Sequence, residues 1–205
     1  MKIPKHVTDY IEKYKSGNVI FNKERIRLVS FLEDNILQRD DLYFDDQKIE
    51  DYIKFSEKWF FKLQDFQKFI SCFVFLYEKD TKTPYFSEFF ISMARGGGKN
   101  GYISTLAAFF MTPLHGISKY NMSVVANSEK QALVSFREIY EMIESNNLYI
   151  TGERPNNPFY LSKVYVEGTS TKSQFLFDTS NEKTKDGARE GCIFFDEVHA
   201  YEKDT

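Results

Sequence analysis

The chain has 205 residues, a length that fits one large domain or two small ones at roughly 100–200 residues per domain. Hydrophobic residues make up 42% and charged residues 28% of the chain, and this composition excludes a globally disordered protein. The formal net charge is -3, so no overall positive field attracts nucleic acid or an acidic membrane, and any contact with DNA must be local.

Cysteine and histidine are scarce in this sequence. Cys72 and Cys192 cannot form a disulfide framework, and with three scattered histidines they do not complete a zinc site of ordinary spacing. The N-terminus has no continuous apolar segment, and no window approaches the roughly 18 uninterrupted apolar residues of a membrane span. We therefore expect a protein of a reducing cytosol that is neither secreted nor membrane-spanning.

Apolar residues recur at helical spacing in the first part of the chain and predict three amphipathic helices. The residues that set the three patterns are Ile26, Val29, Leu32 and Ile36; Ile49, Tyr52, Ile53 and Phe60; and Phe66, Phe69, Ile70, Phe73, Val74 and Tyr77. The acidic stretch 40–46 is interpreted as a solvated loop whose last carboxylates cap the second helix. The sequence changes character near residue 84, which predicts a helical region over 1–83 and a second domain over 84–205.

Predicted strands and helices alternate from residue 84 onward. A short apolar strand is expected over 88–93, and the glycine-rich turn 95–101 leads directly into a helix. Further strands are predicted at 122–126, 164–167, 174–178 and 191–195, with a helix that opens at Ser128 and Glu129. This alternation favours an α/β fold in which helices flank a largely parallel sheet.

The glycine-rich turn has the layout of a phosphate-binding loop. Its glycines, residues 96–98, allow successive backbone N–H groups to point at phosphate oxygens, and the helix N-terminus adds partial positive charge. Lys99 is placed to reach the β- and γ-phosphates of a nucleotide. The match to GxxxxGK[ST] is incomplete, because Met93 replaces the first glycine and Asn100 replaces the hydroxyl residue. A glycine-rich turn with an incidental lysine is the alternative interpretation.

A second signal lies at the end of the last predicted strand, where Asp196 and Glu197 are adjacent. In a nucleotide site the first carboxylate can hold magnesium and the second can polarise the attacking water. Acidic residues at strand ends are also common as helix caps. That reading does not explain why a phosphate-loop pattern occurs upstream, so the two signals together favour a nucleotide-hydrolysing site.

Together these segments resemble the large terminase subunits of tailed bacteriophages, the ATPases that drive DNA into preformed capsids. The segments that carry the resemblance are 42–45, 53–55, 61–69, 94–101, 186–187 and 195–200. They occur in the family's order, and they cover most of the chain. The resemblance implies a P-loop NTPase that uses ATP and Mg²⁺.

The resemblance also implies roles for individual residues. The catalytic residues would be Glu197, Lys99 and Arg95. The nucleotide-binding residues would be Gln67, Arg95, Gly96, Gly97, Gly98, Lys99 and Asn100, with Gln67 in contact with adenine. The magnesium ligands would be Asp196 and Asn100. Asn100 departs from the family's usual serine or threonine, although an amide oxygen can also ligate magnesium.

The partners implied by the resemblance are double-stranded DNA, the small terminase subunit, the portal and further copies of the subunit in a ring. The implied location is the host cytoplasm, for a phage-encoded protein that is not a stable part of the virion. The family's coupling motif and nuclease domain lie beyond the matched segments, so we expect weak or no hydrolysis from this chain alone. Two alternatives stay open: a helicase-like DNA-dependent ATPase, suggested by His199 after Asp-Glu-Val, and a nucleotide-binding assembly module without hydrolysis.

Overall fold

The structure is a computed structural model that describes residues 1–94, 96–146, 158–179, 190–196 and 198, without the side chains of 178 and 179. The chain divides into two compact units, Met1–Ser92 and Met93–Thr205. The first is mainly helical, and the second contains a five-stranded sheet with helices.

The first unit consists of helices and one small sheet. Its elements are α1 (Lys5–Lys15), α2 (Lys23–Asn35), β1 (Leu42–Phe44), α3 (Asp46–Trp59), α4 (Asp65–Val74) and β2 (Leu76–Glu78). The three predicted helices are confirmed as α2, α3 and α4, but the third ends at Val74, and Tyr77, which the pattern assigned to it, lies in β2 instead. Helix α1 was not predicted, because it buries only Val7, Tyr10 and Ile11 and so carries a short apolar pattern.

The acidic stretch holds a strand as well as a cap. Asp45 caps α3 as expected, since its carboxylate accepts a hydrogen bond from the backbone N–H of Lys48 at 3.0 Å. The residues before it were expected to be a solvated loop, and this expectation is wrong. They form β1, which pairs antiparallel with β2 and buries Leu42 and Phe44. Three residues are too few for an alternating pattern to show in the sequence.

Aromatic side chains join α4 to its neighbours within the first unit. Phe69 on α4 lies 4.6 Å from Tyr10 of α1, and Phe73 lies 5.6 Å from Phe44 of β1, measured between ring centroids. Rings at these separations add to the stability that apolar burial provides. The packing fixes the helix that carries Gln67.

The second unit is an α/β structure, which confirms the predicted fold class. Its described elements are α5 (Lys99–Phe110), a 3₁₀ turn (Pro113–His115), β3 (Asn121–Ala126), α6 (Glu129–Ser145), β4 (Phe159–Leu161), β5 (Tyr165–Gly168), β6 (Gln174–Thr179) and β7 (Glu190–Phe195). The sheet order is β4-β5-β6-β3-β7. Strand β3 pairs in parallel with β6 and β7, whereas β4 and β5 form antiparallel pairs at the other side of the sheet.

The predicted strand over 88–93 is not present. Residues 86–94 belong to neither a helix nor a strand, and Phe89 and Phe90 are 42% and 89% exposed. Apolar residues in an extended segment become a strand only where a neighbouring strand pairs with their backbone N–H and C=O groups. The local sequence shows that the segment is apolar, but it does not show whether a neighbouring strand is available to pair with it.

Helix α5 is buried over most of its surface, including Leu106, Ala107, Ala108 and Phe109. It has 12 residues and so measures about 18 Å, well short of a bilayer core of roughly 30 Å. In the part of the chain that the structure describes, no helix is both long enough and apolar enough to cross a membrane. The apolar character of α5 reflects its place in the interior of the second unit.

Candidate nucleotide-binding site

The glycine loop before α5 has a backbone that depends on glycine. Gly96 has φ of 80°, and Gly98, which is the N-cap of α5, has φ of 81°. Both angles lie in the left-handed region, where a side chain is strained. A Cβ added to Gly97 would lie 2.9 Å from the carbonyl oxygen of Ala94 and 3.2 Å from the Cβ of Met93. A side chain would therefore be unfavourable at all three positions, because of backbone strain at Gly96 and Gly98 and because of close contacts at Gly97.

Helix α5 starts directly after this loop, with Lys99 as its first residue. The first N–H groups of an α-helix have no partner inside the helix, and the helix dipole places partial positive charge at the same end. An anion at this position can therefore accept hydrogen bonds from the backbone. The loop and the helix start together form the local structure that the sequence predicted for phosphate binding.

Lys99 and Asp196 meet in the structure. The Nζ atom of Lys99 lies 2.7 Å from Oδ1 of Asp196, a distance that makes this a charge-assisted hydrogen bond. The Asp196 side chain is 2% exposed, whereas that of Lys99 is 31% exposed. The structure thus brings together the phosphate-binding and metal-binding candidates that the sequence places almost a hundred residues apart.

The sheet explains the position of Asp196. Strands β3 and β7 run in parallel, so their carboxyl ends lie at one edge of the sheet, and Asp196 directly follows β7 at that edge. The backbone N–H of Asp196 donates to the carbonyl oxygen of Val125 in β3 at 2.8 Å, which fixes the residue beside the sheet. Ligands of open α/β sheets bind at the carboxyl ends of parallel strands.

Other predicted residues lie elsewhere or outside the described part of the chain. Arg95 and Glu197 fall outside the described residues, as does His199. Asn100 is the second residue of α5 and is half-buried. Gln67 belongs to the other unit, where it is buried on α4 and its side-chain oxygen accepts a hydrogen bond from the backbone N–H of Gln64 at 2.9 Å.

A polar link that the sequence does not predict joins α5 to α6. The hydroxyl oxygen of Ser104 lies 2.9 Å from the carbonyl oxygen of Asn100 and 3.2 Å from that of Ser135 on α6. Burial raises the pKa of Glu138, one turn further along α6, and a hydrogen bond with Ser104 partly opposes this rise. The signal in the sequence is a serine four residues after Asn100 in a helix that is mostly apolar after its first turn. This link ties the first turns of α5 to its neighbour.

The residues present fit magnesium held together with a nucleotide. Magnesium prefers oxygen ligands and is commonly bound through one or two carboxylates plus the phosphates of the substrate. Asp196 offers a buried carboxylate, and Asn100 offers an amide at the start of α5. Within the described ranges, no group of three or more histidine, cysteine, aspartate or glutamate side chains could hold a metal alone. A nucleotide would therefore have to supply part of the metal's coordination.

A glycine loop, a helix N-terminus, a lysine and a buried aspartate at the carboxyl edge of parallel strands define the class of P-loop nucleotide-binding proteins. The family model described as "Terminase large subunit, ATPase domain" matches residues 65–205. The chain therefore belongs to the large terminase subunits and carries sequence of their ATPase domain.

Two relatives and one solved structure agree with this assignment. The terminase large subunits of Lactococcus phages p2 and SK1 are 30% and 29% identical over 128 residues, which is 62% of this chain and 23% of each relative. The crystal structure of the HK97 bacteriophage large terminase matches with a TM-score of 0.60 at 18% identity, over 77% of this chain and 33% of that one. The chain thus spans about a quarter of the length of these relatives and shares its fold with the solved structure.

Proposed function

We propose that this chain binds ATP with Mg²⁺ and hydrolyses it as the ATPase domain of a motor that packages double-stranded DNA. The observation that carries the proposal is the meeting of Lys99, at the start of α5, with Asp196, at the end of β7. In their proposed roles these two residues belong to the phosphate-binding and metal-binding halves of a P-loop site, and membership of the terminase family supplies the context.

The proposed roles divide between the two halves of the site. The loop residues Gly96, Gly97 and Gly98 and the ammonium of Lys99 would hold the phosphates, with Arg95 as a further neutralising charge. Asp196 and Asn100 would hold Mg²⁺, which when bound supplies charge neutralisation for the phosphates. Glu197 would accept the proton of the attacking water and so act as the general base.

Gln67 is proposed to select the base. An amide can donate to N7 of adenine and accept from its N6 amino group, whereas guanine presents an acceptor at both places. The Gln67 oxygen has a second lone pair besides the one that Gln64 uses, and its NH₂ group carries two donors. The hydrogen-bonding groups of one amide therefore suffice for both the helix start and a contact with the base.

The proposed partners are those of a packaging motor: double-stranded DNA, the small terminase subunit, the portal and a ring of further copies in the host cytoplasm. In this setting we expect slow hydrolysis from residues 1–205 alone. A residue supplied by a neighbouring subunit can raise the rate of phosphoryl transfer by about 10³–10⁵, and an isolated chain lacks it. The net charge of -3 also gives little general affinity for DNA.

The test begins with ATP binding, measured by calorimetry in the presence of Mg²⁺. We expect Lys99→Ala to abolish measurable binding, whereas Lys172→Ala, which removes an exposed lysine paired with Glu167 in the same unit, should bind as the wild type does. Equal ATP affinity for Lys99→Ala and the wild type would overturn the proposal.

Hydrolysis is then followed in single-turnover reactions with protein in excess, with and without double-stranded DNA. Glu197→Gln should bind ATP but lose about two or more orders of magnitude in rate, because the base is removed while the shape is kept. Hydrolysis by Glu197→Gln at the wild-type rate would place the base elsewhere. Strand separation would favour the helicase-like alternative, and tight binding without turnover under every condition would favour an assembly module.

A further inference from the structure

Helix α2 of the first unit leaves apolar side chains exposed on its surface. Val29 and Leu32 are buried, with 3% exposure each, whereas Leu28 and Phe31 are 47% and 50% exposed. Of the fifteen large apolar side chains that are exposed in the described chain, five lie between residues 19 and 31. Exposed apolar side chains that cluster in this way mark an interaction surface.

Opposite charges flank the exposed apolar pair. On an α-helix, residues three or four positions apart are neighbours, so Phe31 has Arg27 and Leu28 one turn before it and Asp34 one turn after it. Arg27 and Asp34 are both exposed, and neither forms a salt bridge with another described residue. The four residues Arg27, Leu28, Phe31 and Asp34 are called the α2 patch below.

We propose that the α2 patch binds the same patch of a second copy of this chain, with the two helices antiparallel about a two-fold axis. The positive and negative charges of the patch are seven residues apart, which is about 10 Å along the helix axis. Reversing the second copy brings its Asp34 towards Arg27 of the first, and the two-fold axis repeats this pair. Leu28 of each copy lies level with Phe31 of the other, so the patch is complementary to itself.

The remaining charged groups on this side of α2 are compatible with the antiparallel arrangement. In this register, Asp34 of the second copy lies between the levels of Lys23 and Arg27, so two cations are within its reach. Glu24 lies level with Asn35 of the second copy, which carries no charge. The carboxylates of the two copies therefore meet cations or a neutral amide.

A surface of one sign of charge fits the α2 patch less well. DNA or an acidic membrane attracts Arg27 but repels Asp34 and Glu24, which lie on the same side of the helix. Helices that bind membrane surfaces also carry mainly lysine and arginine on their polar face. An antiparallel copy of α2 offers both signs of charge in the required order. Such a contact closes after two copies, so it is distinct from the contacts of the proposed ring.

The first measurement is sedimentation equilibrium at low salt, where exposed ion pairs are least screened. One pair of short helices gives an interface below the standard size, so we expect a weak dimer and examine protein concentrations up to about 1 mM. Arg27→Asp and Asp34→Arg should each weaken the dimer by at least about tenfold, because each change turns two attractions into two repulsions. Arg137→Asp, which reverses an exposed charge on α6, is the matched control and should dimerise as the wild type does.

A mixture of the two charge-reversed variants tests the geometry of the contact. In a dimer that contains one Arg27→Asp chain and one Asp34→Arg chain, both charge pairs are again of opposite sign. With a fluorophore on one variant, fluorescence-detected sedimentation should show that the mixture associates at concentrations where each variant alone is monomeric. Because association requires both variants to be folded, this result also excludes unfolding as the reason for their weaker dimers.

Three results overturn the proposal: a wild type that stays monomeric throughout, a dimer that survives both charge reversals, and a mixture that does not associate. If a monomeric wild type binds phosphatidylserine vesicles or duplex DNA and Arg27→Asp does not, the patch contacts that partner instead. ATP binding tests the proposed function separately, because none of the residues proposed to contact the nucleotide lies on α2.

Discussion

The side-chain oxygen of Gln67 accepts a hydrogen bond from the backbone N–H of Gln64 at 2.9 Å, where α4 begins. The first N–H groups of a helix and of the residue before it have no partner within the helix, and a glutamine three residues after the N-cap can satisfy one of them. Gln67 is 1% exposed, so this bond is shielded from solvent. A residue proposed to recognise the base therefore also fixes the start of a helix.

The double role predicts that Gln67→Ala changes two properties at once. The free energy of unfolding should fall by about 0.5–2 kcal/mol, the usual cost of losing a side-chain cap. The ratio of ATP to GTP affinity should also fall, because the amide that distinguishes adenine from guanine is gone. Urea unfolding measures the first effect, and competition between ATP and GTP for the site measures the second.

Asp45→Ala is the matched control for Gln67→Ala. It removes the cap of α3, where Asp45 accepts from the N–H of Lys48 at 3.0 Å, so it should cost a similar free energy in the same unit. Its ratio of ATP to GTP affinity should be that of the wild type. If Gln67→Ala destabilises the chain and leaves the ratio unchanged, Gln67 caps the helix but does not read the base.

A second prediction compares two glycines with the same backbone conformation. Gly96 and Gly116 both have φ of 80°, and an added Cβ meets no atom within 4 Å at either position. Alanine should therefore cost about 1–2 kcal/mol at each, through strain in the left-handed region alone. Only Gly96→Ala should weaken ATP binding, because only Gly96 belongs to the loop before α5. Calorimetry and thermal unfolding of both variants provide the two measurements, and equal ATP affinities would contradict a role for this loop in phosphate binding.

The sequence predicted the parts of the fold whose patterns are long. Helix α5, strand β3 and helix α6 follow from apolar periodicity and from capping at Ser128, which accepts from the N–H of Gln131. The place of Asp196 follows from a rule of topology, that parallel strands end at one edge of a sheet, whereas the glycine loop follows no described strand and its nearness to Asp196 is not explained by that rule. These inferences need only local sequence and a general property of α/β structures.

The remainder depends on contacts between distant residues. Strand β1 has only three residues and exists because β2 pairs with it. The apolar segment 88–93 forms no strand, although its composition suggests one. Whether a segment finds a pairing partner depends on the tertiary structure and is not visible in its composition. Similarly, no local pattern shows that Lys99 and Asp196 form an ion pair, or that Ser104 links α5 to α6. Each of these features is set by tertiary structure.

A third prediction concerns the dependence of stability on pH. Burial raises the pKa of Glu138, so the folded chain holds this proton more tightly than the unfolded chain. The resulting stability is present at low pH and is lost as the pH rises from the ordinary value near 4.5 through the raised pKa. Glu138→Gln should avoid this loss. Its melting temperature should exceed that of the wild type at pH 7, by an amount that solvent screening reduces at this half-buried group.

The difference in melting temperature between Glu138→Gln and the wild type should shrink at pH 4, where the carboxyl group of the wild type is mostly protonated. Glu144→Gln is the control, since Glu144 is an exposed carboxylate on the same helix. Its melting temperature should differ from that of the wild type by the same small amount at both pH values. A difference for Glu138→Gln that is equal at pH 4 and pH 7 would show that the buried carboxylate is not the cause.

The last prediction concerns the thiol of Cys192, in the strand that leads to Asp196. Burial, with a smaller effect from the charge of Glu190, raises the pKa of Cys192 to about 12. Only the thiolate reacts with alkylating agents, and at pH 8 it would be about 10⁻⁴ of the total. We expect labelling of Cys192 by iodoacetamide to be slow at pH 8 and to accelerate about tenfold for each pH unit up to pH 10. Peptide mass spectrometry distinguishes it from Cys72, and labelling in urea confirms that both thiols react once exposed. Labelling of Cys192 at pH 8 as fast as that of free cysteine would show that β7 opens readily, and Asp196 would then lack the fixed position that the site requires.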